Sequence, residues 1–333
     1  MMIAAAAEQQ FAIGVDLGGT NLRIAAVDAG GKQLELITTN TEVKRGRDYV
    51  VGEICDAIRI LQEKFRGKYR FAGTGIGVPG IIDMESGTLH ESPNLPGWEN
   101  YPVRDEIQRR LGATVVLEND ANAAALGEKW LGAARDVDSV CMLTLGTGVG
   151  GGIVLHGRVW HGMTGMAAEC GHISIYPDGV QCNCGNRGCL EQYASATAVK
   201  RMALEAIAFG KAPELARAMS ENPEFSSKLI FQHASQGDAS AKAIFSSVGR
   251  ALGIGLADLV NVLNLPMYVI GGGVSSAWEA FSPAMHEELH RRSFVYRATE
   301  PDQQQSPRRR TLVTRALLGS DAGLIGAARL ALM

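Results

Sequence analysis

Residues 11–28 read FAIGVDLGGTNLRIAAVD: a strand, a glycine turn and a second strand. Apolar runs bounded by turn residues carry that reading. The turn, DLGGTN, brings an acid, two glycines and a hydroxyl together. Glycine has no Cβ, so backbone N–H groups at such a turn approach phosphate closely. Asp16 would reach a nucleotide-bound Mg²⁺ through water, while Thr20 and the Gly18–Gly19 backbone would face phosphate.

The plan recurs at 141–157, CMLTLGTGVGGGIVLHG, with Thr147 as hydroxyl donor between Gly146 and Gly148. Gly146, Gly148 and Gly151 also match G-x-G-x-x-G, but a dinucleotide fingerprint needs a helix directly afterwards to hold the pyrophosphate. GGIVLHGRVW follows instead and reads as strand, which excludes a Rossmann site. No G-x-x-x-x-G-K-[ST] occurs, so a Walker-type NTPase is excluded too. Either hairpin alone reads as an ordinary glycine-rich turn; an acid in one and hydroxyls in both point to phosphate.

Around these hairpins the pattern predicts a helix from Tyr49 to Phe65, a strand at 71–80, loop at 81–101, helix 102–111, strand 114–119 and helix 120–131. Residues 195–257 read as several helices, including the amphipathic run Ala239 to Val260. MYVIGGGV (267–274) is a buried strand ending in glycines, and Ala322 to Leu332 is a final helix. Such alternation argues α/β. Two like hairpins far apart imply a duplicated architecture: a small α/β domain, 1–118, joined by the C-terminal helix 320–333, and a large one, 119–319. RATEPDQQQSPRRRT (297–311) lacks apolar periodicity and reads as an exposed loop with solvated arginines.

The 333 residues suffice for two domains, and 46% hydrophobic, 20% charged and a net charge of −3 describe an ordinary globular chain. That balance offers no electrostatic reason for nucleic acid or an anionic membrane as partner. MMIAAAAEQQ does not read as a signal peptide, and no stretch reads as a membrane span. A cytoplasmic protein with reduced thiols is expected.

Three of six cysteines fall in CNCGNRGCLE, 182–191. Cys182 and Cys184 are separated by one residue, not the two of a redox pair. With His172 ten positions earlier, Cys182, Cys184 and Cys189 supply four soft ligands for a closed tetrahedral Zn²⁺ site; reduced, unligated thiols are the alternative. Cys55, Cys141 and Cys170 read as small buried hydrophobes.

IGVDLGGTN, SPNLPGW, ENDANAAALGE, LGTGVGGGI, the Glu169-x-Gly-His172 pair, CNCGNRGCLE and VIGGGV stand in the order found in ROK-family sugar kinases. From about Ile13 to AGLIGAA at 322–328 the chain resembles that family, and within it the ATP-dependent bacterial glucokinases. The resemblance implies a two-domain actin-like ATPase (ribonuclease H-like) fold with an interdomain cleft. It also implies ATP with Mg²⁺ as cofactor and a homodimer or dimer of dimers. Gly271, Gly272 and Gly273 join the nucleotide set. Asp120 matches the catalytic base, and Asn94, Asn119, Glu169, His172 and Glu191 match the sugar contacts. His172 would then hold zinc with one ring nitrogen and a sugar hydroxyl with the other.

Phosphoryl transfer to an alcohol independently asks for a carboxylate that accepts the hydroxyl proton. The bland role for Asp120 is the N-cap of the helix that follows. One departure stands out: where the family often has glycine before the sugar-binding glutamate, this chain has Ala168. Glucose is the expected acceptor, with N-acetylglucosamine or N-acetylmannosamine as alternatives. A sugar-responsive repressor of the same family would need a helix-turn-helix segment before Ile13, where no room is expected. A sugar-binding protein without catalysis is disfavoured by the presence of both Asp16 and Asp120.

Overall fold

The computed structural model describes residues 9–222, 224–301 and 309–333. Its first sheet opens with successive antiparallel strands β1 (Gln10–Leu17), β2 (Asn21–Asp28) and β3 (Gln33–Asn40). β3 escapes the sequence pattern because QLELITTN is largely exposed and carries little apolar signal. Helix α1 (Arg47–Phe65) buries Val50, Val51, Ile54, Ile58, Leu61 and Phe65, a stripe at helical spacing. β4 (Arg70–Val78) then lies parallel to β1. The expected loop at 81–101 contains a short hairpin, β5 (Ile81–Asp83) and β6 (Thr88–Glu91). After α2 (Val103–Leu111), β7 (Val115–Asn119) runs parallel to β4, and α3 (Asp120–Trp130) begins without a connecting loop.

The second sheet starts with β8 (Val140–Leu145), β9 (Val149–Leu155) and β10 (Arg158–Val159). A helical stretch follows: α4 (Glu191–Ala194), α5 (Ala196–Ala208), α6 (Pro213–Glu221), α7 (Ser227–Ser235) and α8 (Ala239–Leu263). β11 (Met267–Gly271) pairs parallel with β8, and after α9 (Trp278–Arg292) and α10 (Phe294–Thr299), β12 (Leu312–Arg315) pairs parallel with β11. α11 (Ala322–Leu332) ends the chain. The strand orders are β3-β2-β1-β4-β7 and β10-β9-β8-β11-β12. Numbered within its own sheet, each is 3-2-1-4-5, so the two glycine hairpins occupy equivalent places in two copies of one plan.

Along FAIGVDL the large residues Phe11, Ile13, Val15 and Leu17 alternate with Ala12, Gly14 and Asp16, and a strand sends successive side chains to opposite faces. The large set joins the core beneath α1 with Ile54, Ile58 and Leu61. The small set faces α11: Ala12 packs with Leu324 and Ala328, and a Cβ on Gly14 would collide with Leu324 O.

The chain divides into two compact units. One takes the chain through Asp138, Gly152–Ala168 and Leu317–Met333; the other takes Ser139–Gly151 and Glu169–Ala316. This division departs from a boundary near Glu118, because α3 stays with the first unit. Its small residues let it lie directly on α11: a Cβ on Gly127 would strike Ala322 O, and one on Gly326 would strike Ala123 O.

α8 is long and apolar enough to cross a membrane, against the expectation that no such stretch exists. Of its most apolar window 72% is buried inside the protein, and Gly249 and Gly253 let it abut α9 at Phe281 O and Met285 O. Its hydrophobicity is that of a core helix. Within the segment expected to be loop, α10 extends to Thr299, Thr311 is buried and hydrogen-bonds Thr299 side chain to side chain at 2.8 Å, and Arg310 is half-buried. The rest of that expectation, 302–308, lies outside the described residues.

Candidate active site

In the first unit, strand alternation puts Asp16 on the face that meets α11. A Cβ on Gly323, in the first turn of α11, would lie 3.5 Å from the Asp16 carboxyl. Burial, and next the charge of Asp120, push the Asp16 carboxyl up to about 6, while Arg23 opposes the shift. Arg23 is itself held by Asp321 and Ser320 O, both at 2.5 Å. The DLGGTN turn is tied by Gly18 N–H donating to Asn21 O (2.9 Å) and by Thr41 Oγ1 donating to Gly18 O (2.7 Å). Gly18 N–H is therefore engaged within the turn. A Cβ on Gly19 would lie 2.7 Å from Asn94 O, so glycine here allows the hairpin to rest on the exposed Asn94.

β7 ends and α3 begins at Asn119-Asp120. The N-cap is Asn119, whose Oδ1 accepts from Ala121 N–H (2.9 Å) and Asn122 N–H (3.2 Å). Its Nδ2 donates to Gly80 O at 3.2 Å. Asp120 is thus the first helical residue, not the cap; Ala121 N–H also lies 2.9 Å from its Oδ1. Behind this corner sits Glu118, buried, with His161 Nε2 at 2.7 Å from its Oε2. No sequence signal marks that pair, whose members lie 43 positions apart.

In the second unit, Gly146–Gly148 turns between β8 and β9, closed by Gly146 N–H donating to Gly148 O (2.9 Å). β9 is a strand, as the rejection of a dinucleotide fingerprint requires. Gly271–Gly273 end the neighbouring strand β11; Gly272 has φ +80° and no room for a Cβ, which would lie 2.5 Å from Leu145 O. The two glycine runs thus sit side by side at the ends of adjacent parallel strands. Thr147 is exposed, and its carbonyl accepts from Thr197 Oγ1 at 2.7 Å.

Gly148 has a further constraint. A Cβ there would strike Glu191 Oε2, which accepts from Val149 N–H at 3.0 Å. The hairpin expected to serve nucleotide alone is therefore packed on a residue expected at the sugar. Gly171 abuts Val149 O in the same way and brings the Glu169–His172 turn to β9. His172 Nε2 lies 4.0 Å from Glu169 Oε2.

Among the described residues, one ligand atom from each of His172, Cys182, Cys184 and Cys189 falls within 4.8 Å of every other. Nδ1 of His172 is 3.7 Å from Cys182 Sγ, and Cys184 Sγ is 3.7 Å from Cys189 Sγ. A tetrahedral zinc with bonds of about 2.0–2.3 Å sets its ligand atoms about 3.5–3.8 Å apart, so the donor set fits that ion. Burial and the neighbouring thiols push Cys189 up to about 12, while the backbone at Asn186 lowers Cys184. Gly185 (φ +93°) and Gly188 (φ +67°) make the turns between the cysteines. Cys55, Cys141 and Cys170 are buried.

The ROK family pattern matches residues 12–333. The chain belongs to the ROK family. A glucokinase of Thermotoga maritima is 41% identical over 277 residues, covering 83% of this chain and 86% of that protein. Two solved ROK structures superpose over 96% of this chain. A glucokinase of Streptomyces griseus in complex with glucose and AMPPNP has 36% identity, TM-score 0.78 and 98% of its own chain covered. A hexokinase of Thermus thermophilus has 33% identity, TM-score 0.77 and 97% of its chain covered. The ROK fold is that of the actin-like ATPases, and here it takes the form of the twice-used 3-2-1-4-5 sheet.

Proposed function

We propose that this ROK chain is an ATP-dependent sugar kinase that phosphorylates glucose at the 6-hydroxyl, with Asp120 as general base. The observation that carries the reading is the β7–α3 corner: Asn119 is the N-cap, and Asp120 stands as the first helical residue where β7 ends, its Oδ1 sharing Ala121 N–H with the cap. Its carboxylate accepts the hydroxyl proton as the sugar oxygen attacks the γ-phosphorus, and ADP leaves with the bond it breaks. The named glucokinases among the relatives, and the glucose and AMPPNP in one solved neighbour, support the acceptor and donor.

The sugar contacts are Asn94, Asn119, Glu169, His172 and Glu191. Asn119 Oδ1 already accepts two helix N–H groups, so its contribution is restricted to the amide nitrogen. For ATP with Mg²⁺, Asp16 reaches the ion through water, and a nearby cation favours the ionised form that burial disfavours. With Gly18 N–H engaged, phosphate in the first hairpin falls to the Gly19 and Thr20 backbone. Gly146–Gly148 and Gly271–Gly273 form the second cradle. Structural Zn²⁺ held by His172 Nδ1, Cys182, Cys184 and Cys189 would leave no open position for water, so it braces and performs no chemistry. With Nδ1 committed to the ion, Nε2 of His172 is the nitrogen left for sugar.

The test is a coupled ADP-release assay across glucose, mannose, fructose and the two N-acetyl sugars, run on wild type and Asp120→Asn. Glucose should give the highest kcat/KM, and the variant should lose on the order of 10²–10⁴ in kcat with glucose affinity kept. A variant that retains a tenth of wild-type kcat excludes Asp120 as base; faster turnover of N-acetylglucosamine reassigns the acceptor.

A further inference from the structure

Glu118 lies directly before the Asn119-Asp120 corner, and its side chain is 1% exposed. All of its hydrogen-bonding reach is directed at that corner and one histidine. Oε1 accepts from the Asn119 backbone N–H at 3.0 Å and from Asn122 Nδ2 at 3.0 Å. Oε2 takes the 2.7 Å contact from His161 Nε2. Asn119 N–H belongs to the residue before Asp120, and Asn122 stands in the same helical turn. The Glu118 carboxyl therefore holds Asp120 on both sides in sequence. His161 occupies the one oxygen left, and its ring pKa is raised chiefly by that hydrogen bond.

His161 also begins the loop leading to Glu169. Its carbonyl accepts from Ala167 N–H at 3.2 Å, which closes the loop just before Ala168-Glu169. A buried carboxyl oxygen without its donor is left unsatisfied, and the groups bonded to its partner oxygen relax with it. We propose that the Glu118–His161 pair positions the catalytic corner: His161 fixes Glu118, and Glu118 fixes the direction in which Asp120 leaves the start of α3. His161 is a positioning residue, because it acts through Glu118. The inference rests on the reading of Asp120 as general base.

The experiment compares His161→Phe, His161→Gln and Glu118→Gln in the full chain, with kcat, glucose KM and Tm for each, and Asp120→Asn beside them. Phenylalanine keeps the ring and removes the donor; glutamine keeps an N–H near the Nε2 position and removes the ring. Misplacement of a catalytic group by about 1 Å is worth about 10²-fold in rate. His161→Phe should lower kcat by about ten- to a hundredfold with KM changed less than about threefold. His161→Gln should return kcat to within about threefold of wild type, and Glu118→Gln should behave like His161→Phe. A packing role predicts the opposite order, with phenylalanine tolerated and glutamine not; that order, or a wild-type kcat in His161→Phe, overturns the inference. If His161→Phe fails to fold, Glu118→Gln decides alone: an unchanged kcat overturns the inference and a ten- to hundredfold loss supports it. If Asp120→Asn itself stays active, the base assignment has failed, whatever the histidine variants do.

Discussion

Ala168 has φ +69°, in the left-handed region where an L side chain is strained. The glycine found there in the resembling family would carry no such strain. Ala168→Gly should therefore stabilise the protein by about 0.5–1 kcal/mol after the extra chain entropy of glycine is subtracted, measured by urea unfolding. A loss of stability would mean that the methyl's packing outweighs the backbone term. Asp16 is the other residue under tension, raised from 3.8 to about 6 by burial and then by Asp120. Folding favours its protonated form. Its contribution is thus fully present below pH 3.8 and lost as pH rises through about 6. Asp16→Asn, neutral throughout, should gain on wild type by up to roughly 3 kcal/mol between pH 4 and 7 in the absence of nucleotide. Equal stability of the two proteins at pH 7 would contradict the shift.

At the scale of elements, the loop 182–191 is closed by backbone hydrogen bonds, among them Cys182 N–H to Asn186 O (2.8 Å) and Leu190 N–H to Ile173 O (2.9 Å), and its three sulfurs converge with His172. Cys184 is exposed, and Cys182 and Cys189 are buried. If the four-ligand cluster holds zinc, fresh protein contains about one zinc per chain, and acid or a strong chelator releases it because the ligands must be deprotonated. α4 begins at Glu191, two residues beyond Cys189, so slack in the loop reaches the Val149 contact first. Cys184→Ala should mimic chelation and weaken glucose binding by about tenfold or more, the scale seen when a metal's supporting groups are lost. Unchanged sugar affinity, with no zinc in the wild type, would leave the cysteines as inert thiols.

At the scale of the whole molecule, the first unit is assembled from three stretches of chain, the last beginning at Leu317. Glu128, fully buried, accepts from Ala133 N–H (2.7 Å), Leu317 N–H (3.1 Å) and Leu318 N–H (2.7 Å). The C-terminal segment also covers Ala12, Ala25 and Val27 of the first sheet. A chain ending at Ala316 would lose that cover and leave a buried carboxyl with one of these three partners, a loss far larger than the few kcal/mol in hand. The truncated protein should lack a cooperative thermal transition for this unit and be cut early by protease within the first 138 residues. A sharp transition at the wild-type Tm would show that α11 is dispensable.

What the sequence determined by itself is what short stretches encode. DLGGTN and LGTGVGGG sit in turns between strands because apolar runs and glycines act on their own backbone. CNCGNRGCLE clusters its thiols because the ligands lie within a few residues of one another. The small-large alternation of FAIGVDL took on meaning only once α1 covered the large residues and α11 the small ones. Tertiary structure alone decided what depends on distant partners. β3 pairs through backbone groups that an exposed, polar strand does not advertise. Asn119 takes the cap position and Asp120 becomes the first helical residue, a choice between adjacent residues that propensity ranks nearly equal. Gly148 is reserved by Glu191, Glu118 meets His161, and α11 closes a sheet begun some three hundred residues earlier. Each is a contact across long sequence separation, set by packing and burial, and no local pattern of residues carries it.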